Sequence, residues 1–125
     1  MRTITIGEII TDLDKTIPLS WQESYDNAGL LCGNKEEKCT GIYVCFDISE
    51  SVVEKAIANN CNLIVSHHPL VFRAMKRFTS KDNVTTTLLK AITNNIALYS
   101  AHTNLDAANP GVNTILANKL GIRNI

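Results

Sequence analysis

Three histidines and one aspartate stand in this sequence where metal ligands could stand. In "LIVSHHPLVF", residues 63–72, His67 and His68 are adjacent and directly follow a short apolar run; in "SAHTNLDAANPG", residues 100–111, His102 precedes Asp106. Neutral imidazole and carboxylate suit zinc, iron, manganese or nickel, and a pair of such ions needs a carboxylate able to bridge them. Neighbouring side chains on a regular strand point to opposite faces. Just past a strand end, with Pro69 restricting His68 to an extended backbone, both rings can turn toward one cleft, each serving a different ion of a close pair. Asp106, in a loop of Asn, Asp, Pro and Gly, is the candidate bridge. His102 is the candidate catalytic residue, because orienting a neighbour or relaying protons suits it as well as direct ligation does.

A His-His pair by itself is commonly two surface side chains, so the case rests on three further observations. The pair closes an apolar run, all three histidines of the chain fall in two such loops, and a carboxylate accompanies the third. Asp47, at the end of another apolar run, reads more readily as a turn residue than as a ligand. Cys32, Cys39, Cys45 and Cys61 show no CxxC or zinc-finger spacing and read as small buried hydrophobes with free thiols.

The elements that must position these residues follow from local pattern. Thr5 and Glu8 make a capping box, and Ile6, Ile9, Ile10, Leu13 and Ile17 form one stripe before Pro18, which predicts a first helix. Residues 18–34 read as a packed loop in which Trp21 and Tyr25 are expected to be buried against their own domain, a subunit contact being the other reading. "GIYVCF", 41–46, reads as a buried strand, Ser51 and Glu54 as a second capping pattern, and "NN" as that helix's stop. Strands over 62–66 and 96–100 flank a helix over Val84 to Thr93, and a last helix from Val112 to Leu120 is closed by Gly121. The order α-loop-β-α-β-α-β-α predicts a single α/β domain over 1–125. Its sheet is parallel or mixed, with helices on both faces in three layers. In open sheets of this kind the ligand site lies beyond the carboxyl ends of the strands, so Asp47, His67-His68 and the segment from His102 to Asp106 should converge.

Composition limits the function classes. The chain has 125 residues, 45% hydrophobic and 19% charged, which suits one globular core. Its 12 Lys+Arg balance 12 Asp+Glu, so no bulk charge recommends nucleic acid as a partner, and the run Arg73, Lys76, Arg77, Lys81 reads as a solvated face. No apolar run approaches the roughly 20 residues of a membrane span, and "MRTITIGEII" lacks the apolar core and cleavage site of a signal peptide. A cytoplasmic protein with no membrane partner is expected.

"SYDNAGLLCG" (24–33), "LIVSHHPLVF" (63–72) and "YSAHTNLDAANPGVNTILANKLG" (99–121) resemble, in order, the signatures of the NIF-three-like family. Its members are dinuclear metal proteins often labelled GTP cyclohydrolase 1 type 2 homologues. The resemblance implies that His67 and His68 are the adjacent histidine ligands, that Asp106 is the carboxylate ligand, and that His102 lines the site. Asp26, Asn27 and Gly29 match a loop near the cleft. It also implies two divalent ions per complete site and a toroidal homohexamer.

One departure accompanies the resemblance. The family completes its site with a histidine and a glutamate near the end of a much longer chain, and neither residue type occurs after Asp106. The expectation is that this chain is the N-terminal portion of a longer protein; a short form with a partial site is the other reading. The function expected is metal-dependent hydrolysis by activated water, GTP cyclohydrolase-like by resemblance, on a nucleotide or other small molecule. The alternative is a non-catalytic metal-binding or scaffolding module. A phosphoesterase with an Asp-His-His motif is disfavoured because Ser66 stands where the aspartate would be. No P-loop or Gly-rich dinucleotide fingerprint is present.

Overall fold

Helix α1, Ile6–Thr16, begins where the capping box predicts: the Thr5 hydroxyl accepts the Glu8 N–H at 3.2 Å, and the Glu8 carboxylate accepts the Thr5 N–H at 2.9 Å. A computed structural model describes residues 2–124. After a 3-10 turn at Leu19–Trp21 come β1 (Gly29–Cys32), β2 (Ile42–Cys45), α2 (Glu50–Ala58), β3 (Leu63–Ser66), α3 (Asn83–Thr93), β4 (Ala97–Ser100), α4 (Thr103–Asp106) and α5 (Val112–Lys119). Helices α2 and α3 stop by the same device. Asn60 and Asn95 each take a φ of 55°, and the residue after each returns its N–H to a carbonyl five back, Cys61 to Ala56 and Ile96 to Ala91, both at 2.9 Å. Helix α5 ends likewise on Gly121, with φ 72° and Ile122 N–H on the Ala117 carbonyl at 2.9 Å.

The four strands form one mixed sheet in the order β1-β4-β3-β2. β2 with β3 and β3 with β4 are parallel, while β1 runs antiparallel along β4, pairing Gly29 with Ser100. The α/β class is as the sequence implies, but β1 lies inside the stretch read as loop. Its four residues carry no alternation of their own and are recruited by β4, a tertiary effect that local pattern does not encode. Consecutive β3 residues enter different clusters. Leu63 packs with Ile6 and Ile10 of α1 and with Ala97 and Tyr99. Ile64 packs with Val53 and Ala56 of α2, Leu88 and Ala91 of α3, and Leu98.

Other expectations are corrected. β2 is an edge strand, not a buried one: Ile42, Val44 and Phe46 are exposed at 43%, 75% and 62%. Tyr43 and Cys45, between them, face the α2 and α3 cluster. The cap of α2 is Ser49, whose hydroxyl accepts the Val52 N–H, and not Ser51. Trp21 and Tyr25 are exposed instead of buried. The four cysteines are free thiols, as expected, but only half-buried. Arg73, Lys76, Arg77 and Lys81 are exposed, as a solvated face should be. No helix among the described residues is long and apolar enough to cross a membrane.

Candidate metal centre

The carboxyl ends of β2, β3 and β4 deliver Asp47, His67-His68 and His102 to one edge of the sheet. Past the last β3 residue the ladder continues, with His67 N–H on the Cys45 carbonyl at 3.3 Å and His68 N–H on the Phe46 carbonyl at 3.1 Å. Beneath them Ser66 and Ser100, both buried, share a hydroxyl hydrogen bond of 2.9 Å, and the Ser66 hydroxyl donates to the His68 carbonyl at 2.8 Å. The position that reads against an Asp-His-His motif therefore anchors the backbone turn that carries both rings.

His67, His68 and His102 come together. Their ring centroids are 5.0 to 5.5 Å apart, and one ring nitrogen of each lies within 4.8 Å of the others. Each ring commits Nδ1 to an acceptor: His67 to the Ala101 carbonyl at 2.9 Å, His68 to Asp47 Oδ1 at 2.7 Å, and His102 to Asp26 Oδ1 at 2.7 Å. A carbonyl or ionised carboxylate can only accept, so a neutral ring there carries its hydrogen on Nδ1 and keeps the Nε2 lone pair free. That arrangement of carboxylate or carbonyl behind imidazole is the one that prepares histidine to bind a metal. The donor set, three nitrogens so prepared, fits a divalent ion of the zinc, iron, manganese or nickel kind.

Asp106 is close to this group without being within the same 4.8 Å set. Its Oδ1 stands 3.7 Å from His67 Nε2. It is the last residue of α4, not a loop residue: the Asp106 N–H bonds the His102 carbonyl at 3.1 Å, a turn of helix the sequence reading missed. Asp47, which the sequence suggests only as a turn residue, supports His68. Phe46 stacks on His67 at 5.4 Å and 19° and meets His68 edge-on at 4.5 Å. Phe72 meets His102 at 6.3 Å, with Tyr25 against Phe72 at 6.5 Å.

Asp26 is the partner that local pattern could not reveal. Because β1 is antiparallel to β4, the start of β1 lies at the carboxyl edge, and the loop just before it brings Asp26 under His102. Burial alone would raise the Asp26 carboxyl, but hydrogen bonds from His102, Thr103 and Asn27 outweigh it and hold the group below its ordinary value. The signal was available only as the Asp-Asn pair of the family motif.

Residues 4–125 match the Duf34/NIF3 (NGG1p interacting factor 3) family. A Staphylococcus epidermidis protein described as a GTP cyclohydrolase 1 type 2 homolog is 42% identical over 120 residues, covering 96% of this chain and 32% of that protein. A Clostridium acetobutylicum protein of the same description is 34% identical over 119 residues, 95% of this chain and 44% of that one. Among solved structures, a Bacillus cereus protein related to NIF3 superposes with a TM-score of 0.93 at 34% identity, over 99% of this chain and 34% of that chain. Reduced HcgD from Methanocaldococcus jannaschii does so with a TM-score of 0.88 at 31% identity, over 99% and 50%. The chain thus spans about a third to a half of the length of these relatives.

Proposed function

Since this chain belongs to the Duf34/NIF3 family, we infer that it forms part of a dinuclear metal centre of a cytoplasmic, metal-dependent hydrolase whose substrate is a nucleotide or another small molecule. The observation that carries the reading is the set of three histidines, each with Nδ1 engaged and Nε2 free. His67 and His68 are the ligands, Asp106 the carboxylate ligand, and two ions occupy the complete site. A bound divalent ion supplies Lewis acidity and a more acidic water at neutral pH. His102, backed by Asp26, is the residue that would hold or move a proton beside that water. Phe46 stacks along one side of His67. The two core clusters on alternate β3 residues support a three-layer reading with helices on both faces of the sheet. The homohexamer implied by the family resemblance belongs to the same reading.

A second reading is favoured by one observation. Asp106 lies outside the close histidine group and approaches only His67, so the tightest donor set of this segment is made of nitrogens alone. Such a set suits a metal-binding or scaffolding module that performs no chemistry.

One experiment separates the two. Elemental analysis of the purified protein is combined with assays for formate and phosphate release from nucleotides, on wild type and on His68→Ala. The enzyme reading expects bound metal and turnover in wild type and loss of both in the variant. Metal without turnover selects the module, and a metal-free, inactive wild type defeats both.

A further inference from the structure

One buried carboxylate holds both His102 and the helix that carries Asp106. The Asp26 side chain is wholly inaccessible. Its Oδ1 faces His102 Nδ1 at 2.7 Å and accepts the Asn27 N–H at 2.7 Å. Its Oδ2 accepts the Thr103 N–H at 3.0 Å and also the Thr103 hydroxyl. Thr103 is the first residue of α4, and its hydroxyl oxygen in turn accepts the Glu23 N–H at 3.0 Å. Loop, imidazole and helix start are thereby joined through a single side chain.

From this geometry we propose that Asp26 is a positioning residue, which fixes His102 in the Nδ1–H tautomer and clamps the start of α4, so that an unprotonated His102 Nε2 and the Asp106 carboxylate are presented to the same site, the one to take a proton and the other to ligate. The tautomer follows from the acceptor-only character of the carboxylate. The clamp follows from its two bonds to Thr103, three residues before Asp106. An amide in its place could not do both, because either orientation sets its N–H groups against a backbone donor, Asn27 N–H or Thr103 N–H. Asp26→Ala removes the acceptor altogether: His102 Nδ1 loses its partner, the ring is released to carry its hydrogen on Nε2, and the start of α4 loses its clamp. Thr103→Val removes one bond to Asp26 while leaving its contact with His102.

The proposal rests on the reading of His67, His68 and Asp106 as metal ligands, but its first test needs no metal. Long-range proton–nitrogen correlation spectra of the metal-free protein, at a pH where the rings are neutral, report each tautomer. His102 is expected as Nδ1–H in wild type and Thr103→Val, and with a large Nε2–H share in Asp26→Ala. Cobalt(II) titration followed by its visible absorption is expected to show an affinity about 10- to 100-fold weaker in Asp26→Ala than in wild type. A wild-type His102 in the Nε2–H form overturns the proposal, and needs no variant to fold. So does an Asp26→Ala protein that keeps the Nδ1–H form alone, or one that binds cobalt as wild type does. If wild type takes up no cobalt while the tautomer shifts in Asp26→Ala, the positioning role stands and the metal reading fails.

Discussion

Asp106 Oδ1 and His67 Nε2 are 3.7 Å apart, too far for a hydrogen bond and near enough for both to approach one cation. The Asp106 side chain is partly exposed, so its removal should leave the fold intact. Asp106→Ala is expected to lower bound metal per chain while changing unfolding free energy by no more than about 0.5 kcal/mol, the usual range for a surface substitution. Elemental analysis beside a urea titration checks this, and an undiminished metal content would remove Asp106 from the ligand set. At this scale the sequence was informative about which residues could ligate and silent about what stands behind them. His67, His68 and His102 were legible because they follow strand ends, and strand ends at a sheet's carboxyl edge converge. Asp47 was legible at that edge and Asp26 only through the family motif, but neither was legible as a histidine's partner, since each reaches its histidine from a segment 21 or 76 residues away in the chain.

Among the elements, β1 depends most on a single residue that has no side chain. Gly33, just past its end, has φ 117°, and a Cβ there would lie 2.5 Å from Ala97 Cβ and 2.7 Å from Ala97 Cα at the start of β4. Backbone strain and overpacking act together, so Gly33→Ala should cost roughly 2–5 kcal/mol and lower the melting temperature by about 10 °C or more. Circular dichroism melting measures it; a melting temperature within a degree or two of wild type would mean β1 and β4 are not packed this closely. The bounds of α1, α3 and α5 and the stop of α2 could be read from the chain because caps and Asn or Gly stops are local devices; the start of α2 reads two residues late, at Ser51 in place of Ser49. β1 and α4 could not, being four residues each and formed by pairing with β4 and by the turn after it. The exposure of β2 escaped for a related reason: an apolar run looks alike in a central strand and at an edge.

Across the whole molecule, one hydrogen bond ties the first helix to the strand at the centre of the chemistry. Tyr99 of β4 is fully buried, and its hydroxyl donates to Asp14 of α1 at 2.7 Å. Burial first, and then the neighbouring Asp14 carboxylate, push the Tyr99 phenol well above its ordinary value. The sign of the consequence follows from proton counting. An acid whose folded value is raised keeps its proton in the native state at a pH where the unfolded chain has released it. Its stabilising effect is therefore complete below the ordinary tyrosine value of about 10 and is lost as pH rises above that. Tyr99→Phe keeps the packing, removes the hydrogen bond and cannot titrate. Wild type should exceed the variant by about 1 kcal/mol near neutral pH, the net worth of one hydrogen bond. Above pH 10 that margin should shrink by up to about 1.4 kcal/mol per pH unit and change sign. Urea unfolding of both proteins between pH 7 and 11 measures the difference directly, with every other titrating group common to the two. A margin that stays constant through pH 11 would mean that Tyr99 meets water in the native state, and that α1 is not closed over β4.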